Sequence, residues 1–186
     1  MDLTNAIYDR RSVRSFAPGA VSKEMIDKLI AAAVQAPSAM NSQPWAFSVV
    51  QDSNLLRQIS IDTKAHLLST LKEKPYLEVY RAAFTNPDFD IFYNTSTLLT
   101  IYAKPEGPSP ANDCAIAAQN IMLMAHSLGL GTCWIGFARV FLELPEVKAK
   151  LNVPSDYTII APLIVGHPTK LIGSIAKKEP EILFWK

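Results

Sequence analysis

Four residues near the start of the chain have side chains suited to binding an anion. They are Arg10, Arg11, Ser12 and Arg14, all within five positions. A guanidinium presents a planar fork of donors that matches phosphate oxygens, and a serine hydroxyl adds another donor. Side chains alternate along an extended chain, so Arg10, Ser12 and Arg14 would share one side there while Arg11 faces away. The segment predicts a phosphate site, with a solvated basic turn as the alternative.

A second polar stretch lies between Pro37 and Pro44. Each proline lacks a backbone donor and restricts the residue before it, so the stretch is predicted to be a loop. The short polar side chains that could bond the polar edge of a ligand are Ser38, Asn41, Ser42 and Gln43. Without support from elsewhere in the chain, a polar turn between a helix and a strand would be the better interpretation.

Two further segments fit the same kind of ligand. Gly131 and Gly136 bracket a short apolar run, and glycine lets a backbone approach a flat ligand closely. The alternative is a strand bounded by turn glycines. Lys177 and Lys178 add positive charge near the end of the chain. Together, the four segments predict a site for a flat ligand that carries a phosphate.

Alternating helices and strands would position these segments. Helices are predicted over Leu3–Asp9, from the N-cap Ser22 to Pro37, after Asp52 or Ser53, from about Ala111 to Leu128, and from Pro145 to Leu151. Strands are predicted at Phe47–Val50, Leu98–Ala103, Cys133–Phe137 and Tyr157–Val165. Residues 61–90 are interpreted as broken helices that form a flap over a site or part of a subunit contact. The tail from Thr169 onward is expected to lie across the domain or a partner subunit. These elements predict a single α/β or α+β domain over residues 1–186.

Composition excludes several classes of function. The chain has 186 residues, of which 49% are apolar and 19% charged, as is typical of a folded domain. A net charge of +1 gives no bulk attraction to nucleic acid or to anionic membranes. No apolar run reaches the roughly 18 residues that span a bilayer, and the start of the chain lacks a signal-peptide pattern.

Cysteine and histidine positions narrow the chemistry further. The two cysteines form no ligand cluster and no Cys-x-x-Cys motif, which favours free thiols in a reducing cytoplasm. The three histidines share no metal-ligand spacing, so no metal site is expected. No Gly-x-Ser-x-Gly motif appears, so acyl transfer is not expected.

The order of the motifs resembles the nitroreductase family of FMN-dependent oxidoreductases. The segments that carry the resemblance are Arg10–Phe16, Ala36–Trp45, Gly129–Gly136, Val165–Pro168 and the tail from Lys177 to Trp185. The resemblance runs nearly end to end and is weakest between residues 61 and 90. It implies an α+β fold with three layers, α/β/α, in which helices flank a central and mainly antiparallel sheet.

The resemblance also implies roles for single residues. Arg10 and Ser12 match the residues that hold the FMN phosphate, with Arg11 beside them. Arg14 matches the basic residue near the pyrimidine edge of the isoalloxazine ring. Another match is to a strand whose backbone lies against the flavin near N5. It consists of Trp134, Ile135 and Gly136. A further match is to a loop that, in a homodimer, reaches the flavin of the other subunit. It consists of Pro37, Ser38, Ala39, Met40, Asn41 and Gln43.

Lysines complete the set of residues that the resemblance implies. Either Lys177 or Lys178 matches a late basic residue on the phosphate. Larger members of the family place a lysine from a middle segment on the flavin ring, and Lys64 and Lys72 are the candidates for that position.

The resemblance implies a reaction as well. NAD(P)H would reduce bound FMN, and a small-molecule acceptor such as a nitroaromatic, quinone or enone would then be reduced in a ping-pong cycle. Because flavin supplies the hydride chemistry and the protein supplies orientation, no side chain is assigned as a general acid or base. The alternative is a protein of the same fold that stores or senses FMN without turnover. A nucleic-acid binder would need a broader basic face.

Overall fold

The computed structural model describes residues 1–170, 172–173 and 175–186. Its sheet contains β1 (Trp45–Val50), β2 (Leu98–Ala103), β3 (Gly131–Trp134) and β4 (Thr158–Gly166). The strand order is β1-β2-β4-β3, and every neighbouring pair is antiparallel. β3 therefore forms one edge of the sheet.

Helices cover both faces of the sheet. Those in the described residues are α1 (Leu3–Asp9), α2 (Lys23–Ala33), α3 (Ser53–Ser69), α4 (Arg81–Thr85), α5 (Pro110–Ser127), α6 (Gly136–Leu142) and α7 (Pro145–Lys150). Side chains of β2 alternate between two cores: Leu99 and Ile101 pack with α2 and α5, whereas Leu98 and Tyr102 pack with α3 and α6. This three-layer α/β/α arrangement confirms the predicted fold class.

Local signals in the sequence explain where the main helices begin. Ser22 Oγ accepts a hydrogen bond from the backbone N–H of Met25 at 3.3 Å, which caps α2 as predicted. The carboxylate of Asp52 caps α3 by accepting from the N–H groups of Asn54 and Leu55 at 2.8 and 3.1 Å. Of the two candidate caps in the sequence, Asp52 and Ser53, Asp52 is therefore the one that caps α3.

Gly129 ends α5 and directs the chain into β3. Its φ of 76° lies in the left-handed region, which glycine adopts without a steric penalty. The Gly129 N–H donates to the His126 carbonyl at 3.0 Å, and the Leu130 N–H donates to the Ala125 carbonyl at 2.8 Å. These two bonds form a Schellman motif, so the predicted C-cap role of Gly129 is confirmed.

Two predicted elements end several residues earlier in the structure than in the prediction. α2 ends at Ala33 instead of Pro37, because short-range bonds such as that from the Ala36 N–H to the Ala33 carbonyl tighten the chain into turns. The strand predicted over Cys133–Phe137 ends at Trp134, and Gly136 begins α6. Ala138 and Leu142 lie four residues apart and are both buried, as one face of a helix requires.

Residues 61–90 begin as a helix and continue in short pieces. α3 continues through Ser69, and 3₁₀ turns over Leu71–Glu73 and Pro75–Tyr80 then lead into α4. Leu67, Leu71, Leu77 and Phe84 form a small buried cluster of their own. The broken helices predicted here are confirmed from Leu71 onward.

The C-terminal tail contacts the domain at its start, where the Thr169 N–H donates to the Ser15 carbonyl at 3.1 Å, and is exposed over residues 175–186. Residues 182–185 are all exposed, with Trp185 at 87%. For residues 175–186, the predicted contact with a partner subunit stays a prediction. Within the described ranges, no helix is long and apolar enough to cross a membrane.

Candidate functional site

The segment of residues 10–16, called here the Arg/Ser segment, lies along the edge of the sheet. Ser12 forms an isolated parallel bridge with Thr132 of β3. The Val13 N–H donates to the Thr132 carbonyl at 2.9 Å. Further along, Phe16 forms an antiparallel bridge with Pro168. These backbone contacts hold the segment extended and so fix the direction of its side chains.

The pKa of the Cys133 thiol in β3 is affected by Arg14, Ser12 and Arg10. Burial raises the pKa of Cys133, while the charge of Arg14, the hydroxyl of Ser12 and the charge of Arg10 oppose that rise. The three side chains therefore gather near one thiol, as alternation along an extended chain requires. The ion pairs in the described part of the chain include neither Arg10 nor Arg14, so both guanidinium groups lack a carboxylate partner there.

Arg11 makes different contacts. Its Nη1 donates to the carbonyl oxygens of Tyr8 and Arg10 at 2.6 and 2.8 Å. Its Nε and the Nε2 of His126 are buried and have no hydrogen-bond partner among the described residues. Both side chains line a cavity of about 140 Å³, which Arg10 and Lys170 also border. Arg11 therefore lies in a different place from Ser12 and Arg14. Arg10 belongs to both places, because it borders the cavity of Arg11 and also affects the Cys133 thiol.

An apolar pocket of about 340 Å³ lies beside Arg14. Cys133, Trp134, Ile135 and Gly136 border it. The other described residues that line it are Leu67, Tyr76, Leu77, Ile91, Tyr93, Phe137 and Val140. Arg14 is the only charged side chain among these described lining residues. The pocket suits a flat apolar group whose electron-rich edge meets Arg14.

The residues that border the pocket from β3 form a turn from a strand into a helix. Trp134 ends β3, and the Ile135 N–H donates to the Pro162 carbonyl at 2.9 Å. Gly136 is the first residue of α6. A Cβ atom at Gly136 would meet nothing within 4 Å, so the backbone is open to a ligand at this point. Trp134, Ile135 and Gly136 were predicted to lie in one strand. In the structure Trp134 is in β3, whereas Ile135 and Gly136 come after its end.

The loop of residues 37–43 has an unusual backbone conformation. Met40, Asn41 and Gln43 have φ values of 55°, 54° and 47°, all in the left-handed region. Such a conformation costs a residue other than glycine about 1–3 kcal/mol and persists only where the surroundings impose it. Outliers of this kind cluster at ligand sites, which makes the loop a candidate for binding.

Hydrogen bonds impose the conformation of this loop. The Ala39 N–H donates to both carboxylate oxygens of Asp113, each at 3.2 Å. The Gln43 N–H donates to Ser38 Oγ at 3.0 Å, and Gln43 Nε2 donates to Asn41 Oδ1 at 3.0 Å. Asp113 was not predicted as part of the site, although it is the only carboxylate in α5.

The 37–43 loop and the Arg/Ser segment lie at opposite ends of α5. Asp113 in the first turn of α5 holds the loop, whereas Gly129 just beyond its last turn borders the cavity of Arg11. A rise of 1.5 Å per residue puts these two positions roughly 24 Å apart. Neither cavity beside the Arg/Ser segment has a residue of the loop among its described lining. A single chain therefore does not bring the two predicted sets of ligand residues together.

The late lysines do not join the Arg/Ser segment. Lys177 and Lys178 are exposed, and neither is among the described residues that line a cavity. Lys170 borders the cavity of Arg10 instead, and the sequence analysis did not assign it. The bridge from Pro168 to Phe16 returns the chain to the Arg/Ser segment just before Lys170, and no local pattern in the sequence indicates that bridge.

The middle lysines do not border the apolar pocket either. Lys64 is buried, and its Nζ donates to the carbonyl oxygens of Asn86 and Phe89 at 2.9 and 2.6 Å. Lys72 is exposed. Lys64 therefore fastens the segment after α4 to α3.

Comparison with known proteins identifies the family. The model of the nitroreductase family matches residues 7–167. The chain belongs to this family. A nitroreductase-family relative from Methanothermobacter thermautotrophicus, provisionally named an NADH dehydrogenase/NAD(P)H nitroreductase, is 30% identical over 181 residues. That match covers 97% of this chain and 85% of the relative.

Solved nitroreductase structures share the fold. An FMN-dependent nitroreductase from Clostridium difficile has a TM-score of 0.79 at 27% identity, with 96% of this chain and 98% of that chain covered. A nitroreductase with bound FMN from Bacteroides fragilis has a TM-score of 0.85 at 24% identity, with both chains covered completely. The second likeness shows the fold alone.

Proposed function

We propose that this nitroreductase-family protein is an FMN-dependent oxidoreductase that takes electrons from NAD(P)H and passes them to a small-molecule acceptor. One observation carries the proposal. Arg10, Ser12 and Arg14 gather near one thiol, the two arginines have no carboxylate partner among the described residues, and an apolar pocket of about 340 Å³ adjoins them. A flat ring joined to a phosphate requires this combination of an uncharged pocket and nearby anion donors.

The residues present fit FMN. Arg10 and Ser12 would hold the phosphate through charge-assisted hydrogen bonds, and Arg14 would lie at the pyrimidine edge of the ring. Lys170 joins Lys177 and Lys178 as a candidate for a further phosphate contact. When bound, FMN supplies hydride chemistry between NAD(P)H and an acceptor such as a nitroaromatic, quinone or enone, in two half-reactions.

The chain's own part in the reaction is orientation and electrostatics. The turn at Trp134–Gly136 would bring backbone against the ring, since no side chain at Gly136 obstructs it. The charge of Arg14 stabilises negative charge that develops on the edge of a ligand beside it, because the apolar pocket strengthens electrostatic interactions. These functions need no general acid or base.

The separation within the chain supports a homodimer that shares its FMN sites. Asp113, which holds the 37–43 loop, lies roughly 24 Å along α5 from Gly129, which borders the cavity of Arg10 and Arg11, by a rise of 1.5 Å per residue. The apolar side chains of Leu3 and Tyr8 on α1 are 70% and 73% exposed, and Met40 in the loop is 89% exposed. Burial of these side chains against a second copy of the chain would remove apolar surface from water. In a two-fold symmetric dimer, the loop of each subunit would reach the Arg/Ser segment of its partner.

Visible absorption of the purified protein under argon tests the proposal. Flavin bands that bleach when NADH or NADPH is added, and return when an acceptor follows, are the expected result. Flavin bands that do not bleach with either nucleotide would favour storage or sensing of FMN without turnover. A colourless protein that also fails to take up added FMN would remove the proposal. Because a fold does not fix a reaction, the acceptor is then found by comparing classes of substrate.

A further inference from the structure

We infer that Asp113 is a positioning residue for flavin binding, whose carboxylate holds the 37–43 loop in the conformation that contacts FMN in the partner subunit. The inference rests on the proposed function, since it assumes that the loop binds FMN. Asp113 belongs to α5 and does not border either cavity beside the Arg/Ser segment in the described structure. Any effect of Asp113 on flavin would therefore pass through the loop.

The surroundings of Asp113 show that its carboxylate serves the loop. The residue is 4% exposed and stands in the first turn of an 18-residue helix whose neighbouring buried positions are apolar. An ionised carboxylate has about four acceptor positions, yet the described bonds to this side chain come from one donor, the Ala39 N–H. Burying a charge is unfavourable unless it is bonded, and the N-terminal end of α5 together with Ala39 supplies that compensation.

The position of Ala39 explains what the bond does. Ala39 is the first residue of a 3₁₀ turn over Ala39–Asn41 and directly precedes Met40 and Asn41, the first two left-handed residues of the loop. Fixing the Ala39 N–H on Asp113 fixes the start of the turn, and the bond from the Gln43 N–H to Ser38 Oγ closes its end. The loop is thus set before any ligand binds, which lowers the ordering cost of binding.

Asn120 provides a matched control on the same helix. It lies two turns after Asp113, and its Nδ2 donates to the Ala32 carbonyl at 3.1 Å. Both residues are polar side chains that fasten α5 to a backbone group of the same neighbouring region. Asn120 fastens the end of α2, however, and makes no described bond to the 37–43 loop.

The test uses FMN-free protein of the wild type and of three variants: Asp113→Ala, Asp113→Asn and Asn120→Ala. FMN is titrated into each, and the Kd is read from the quenching of flavin fluorescence. Thermal unfolding and the mass in solution are measured without FMN. Asp113→Ala is expected to raise the Kd about tenfold or more, as loss of a hydrogen bond to a charged group does. Asp113→Asn keeps one acceptor oxygen and is expected to raise the Kd less.

Asn120→Ala is expected to lower the unfolding temperature and to leave the Kd for FMN within about threefold of wild type. An unchanged Kd in Asp113→Ala would overturn the inference and leave the proposed function standing. An equal rise in Kd for Asn120→Ala would assign the effect to general loosening and also overturn it. If Asp113→Ala does not fold, Asp113→Asn decides by the same comparison. Failure of the wild type to bind FMN would overturn the proposed function and this inference with it.

Discussion

A Cβ atom placed on Gly131 would lie 2.8 Å from Cβ of Val13. The Arg/Ser segment therefore approaches β3 so closely that there is no room for a side chain at this position of the strand. The adjacent bond from the Val13 N–H to the Thr132 carbonyl holds the same approach. Together they set the side on which Arg10, Ser12 and Arg14 gather.

Gly131→Ala is expected to destabilise the protein and to weaken FMN binding together. The added methyl group must displace Val13, and overpacking of this kind costs about 1–3 kcal/mol. Displacement of Val13 would also shift Ser12 and Arg14 on either side of it. Denaturant unfolding of the FMN-free protein measures the first effect, and FMN titration measures the second. A midpoint and a Kd equal to those of wild type would show that the close approach has no consequence.

Gly136→Val is expected to weaken FMN binding without destabilising the FMN-free protein. A Cβ atom at Gly136 meets nothing within 4 Å in the protein itself, so the unfolding free energy without FMN should change little. The side chain would occupy space against which the flavin ring is proposed to lie, so FMN affinity should fall. A variant that stays fully yellow and active would contradict the proposed place of the ring.

Arg10→Ala is expected to weaken FMN binding by about 1.5–3 kcal/mol, because it removes a hydrogen bond to a charged phosphate. Arg11→Ala is the matched control, with the same charge removed one residue away. The guanidinium of Arg11 is bonded to the carbonyls of Tyr8 and Arg10, so its loss should change FMN affinity much less. Equal losses in the two variants would show that only the total charge matters.

Mixing two defective variants tests the shared site. Arg10→Ala impairs the Arg/Ser segment and Asn41→Ala impairs the loop, so each homodimer is expected to bind FMN weakly at both sites. In a mixed dimer, one site receives both defects and the other receives none. Refolding the two variants together should therefore restore tight binding at one site per mixed dimer. Absence of any restored binding in verified mixed dimers would place the loop and the segment in the same subunit's site.

The buried thiol of Cys114 predicts a dependence of stability on pH. Burial, with a smaller contribution from the charge of Asp113, raises the pKa of Cys114 from 9.0 to about 11. The folded protein then keeps this proton to higher pH than the unfolded chain does. The resulting stabilisation is complete below about pH 9 and is lost as pH rises towards about 11. Unfolding free energies measured from pH 8 to 11 should therefore fall more steeply for wild type than for Cys114→Ala, and parallel curves would contradict the shift.

Local signals predicted those parts of the fold that depend on neighbouring residues. Ser22 caps α2, Gly129 ends α5, and β2 has the predicted limits, because each follows from capping chemistry or from a compact apolar run. α6 was missed because Gly136 directly follows an apolar stretch and was interpreted as the end of a strand. Its helical period becomes visible only when the buried pair of Ala138 and Leu142 is known.

Long-range contacts limited what the sequence could say about the site. Alternation along an extended chain predicted the grouping of Arg10, Ser12 and Arg14, since it needs only local geometry. The bond from Ala39 to Asp113 joins residues 74 positions apart, and no local pattern reveals such a partner. The place of Lys170 beside Arg10 likewise depends on the bridge between Phe16 and Pro168.

The Arg/Ser segment also has a protective role that is independent of any ligand. β3 is an edge strand, and an uncovered edge presents unpaired N–H and C=O groups that can template pairing with another chain. Ser12 and Val13 cover part of that edge through their contacts with Thr132. A substitution that detaches this segment would therefore promote self-association of the protein. Aggregation during expression, and not loss of colour alone, would then be the visible result of damage at this position.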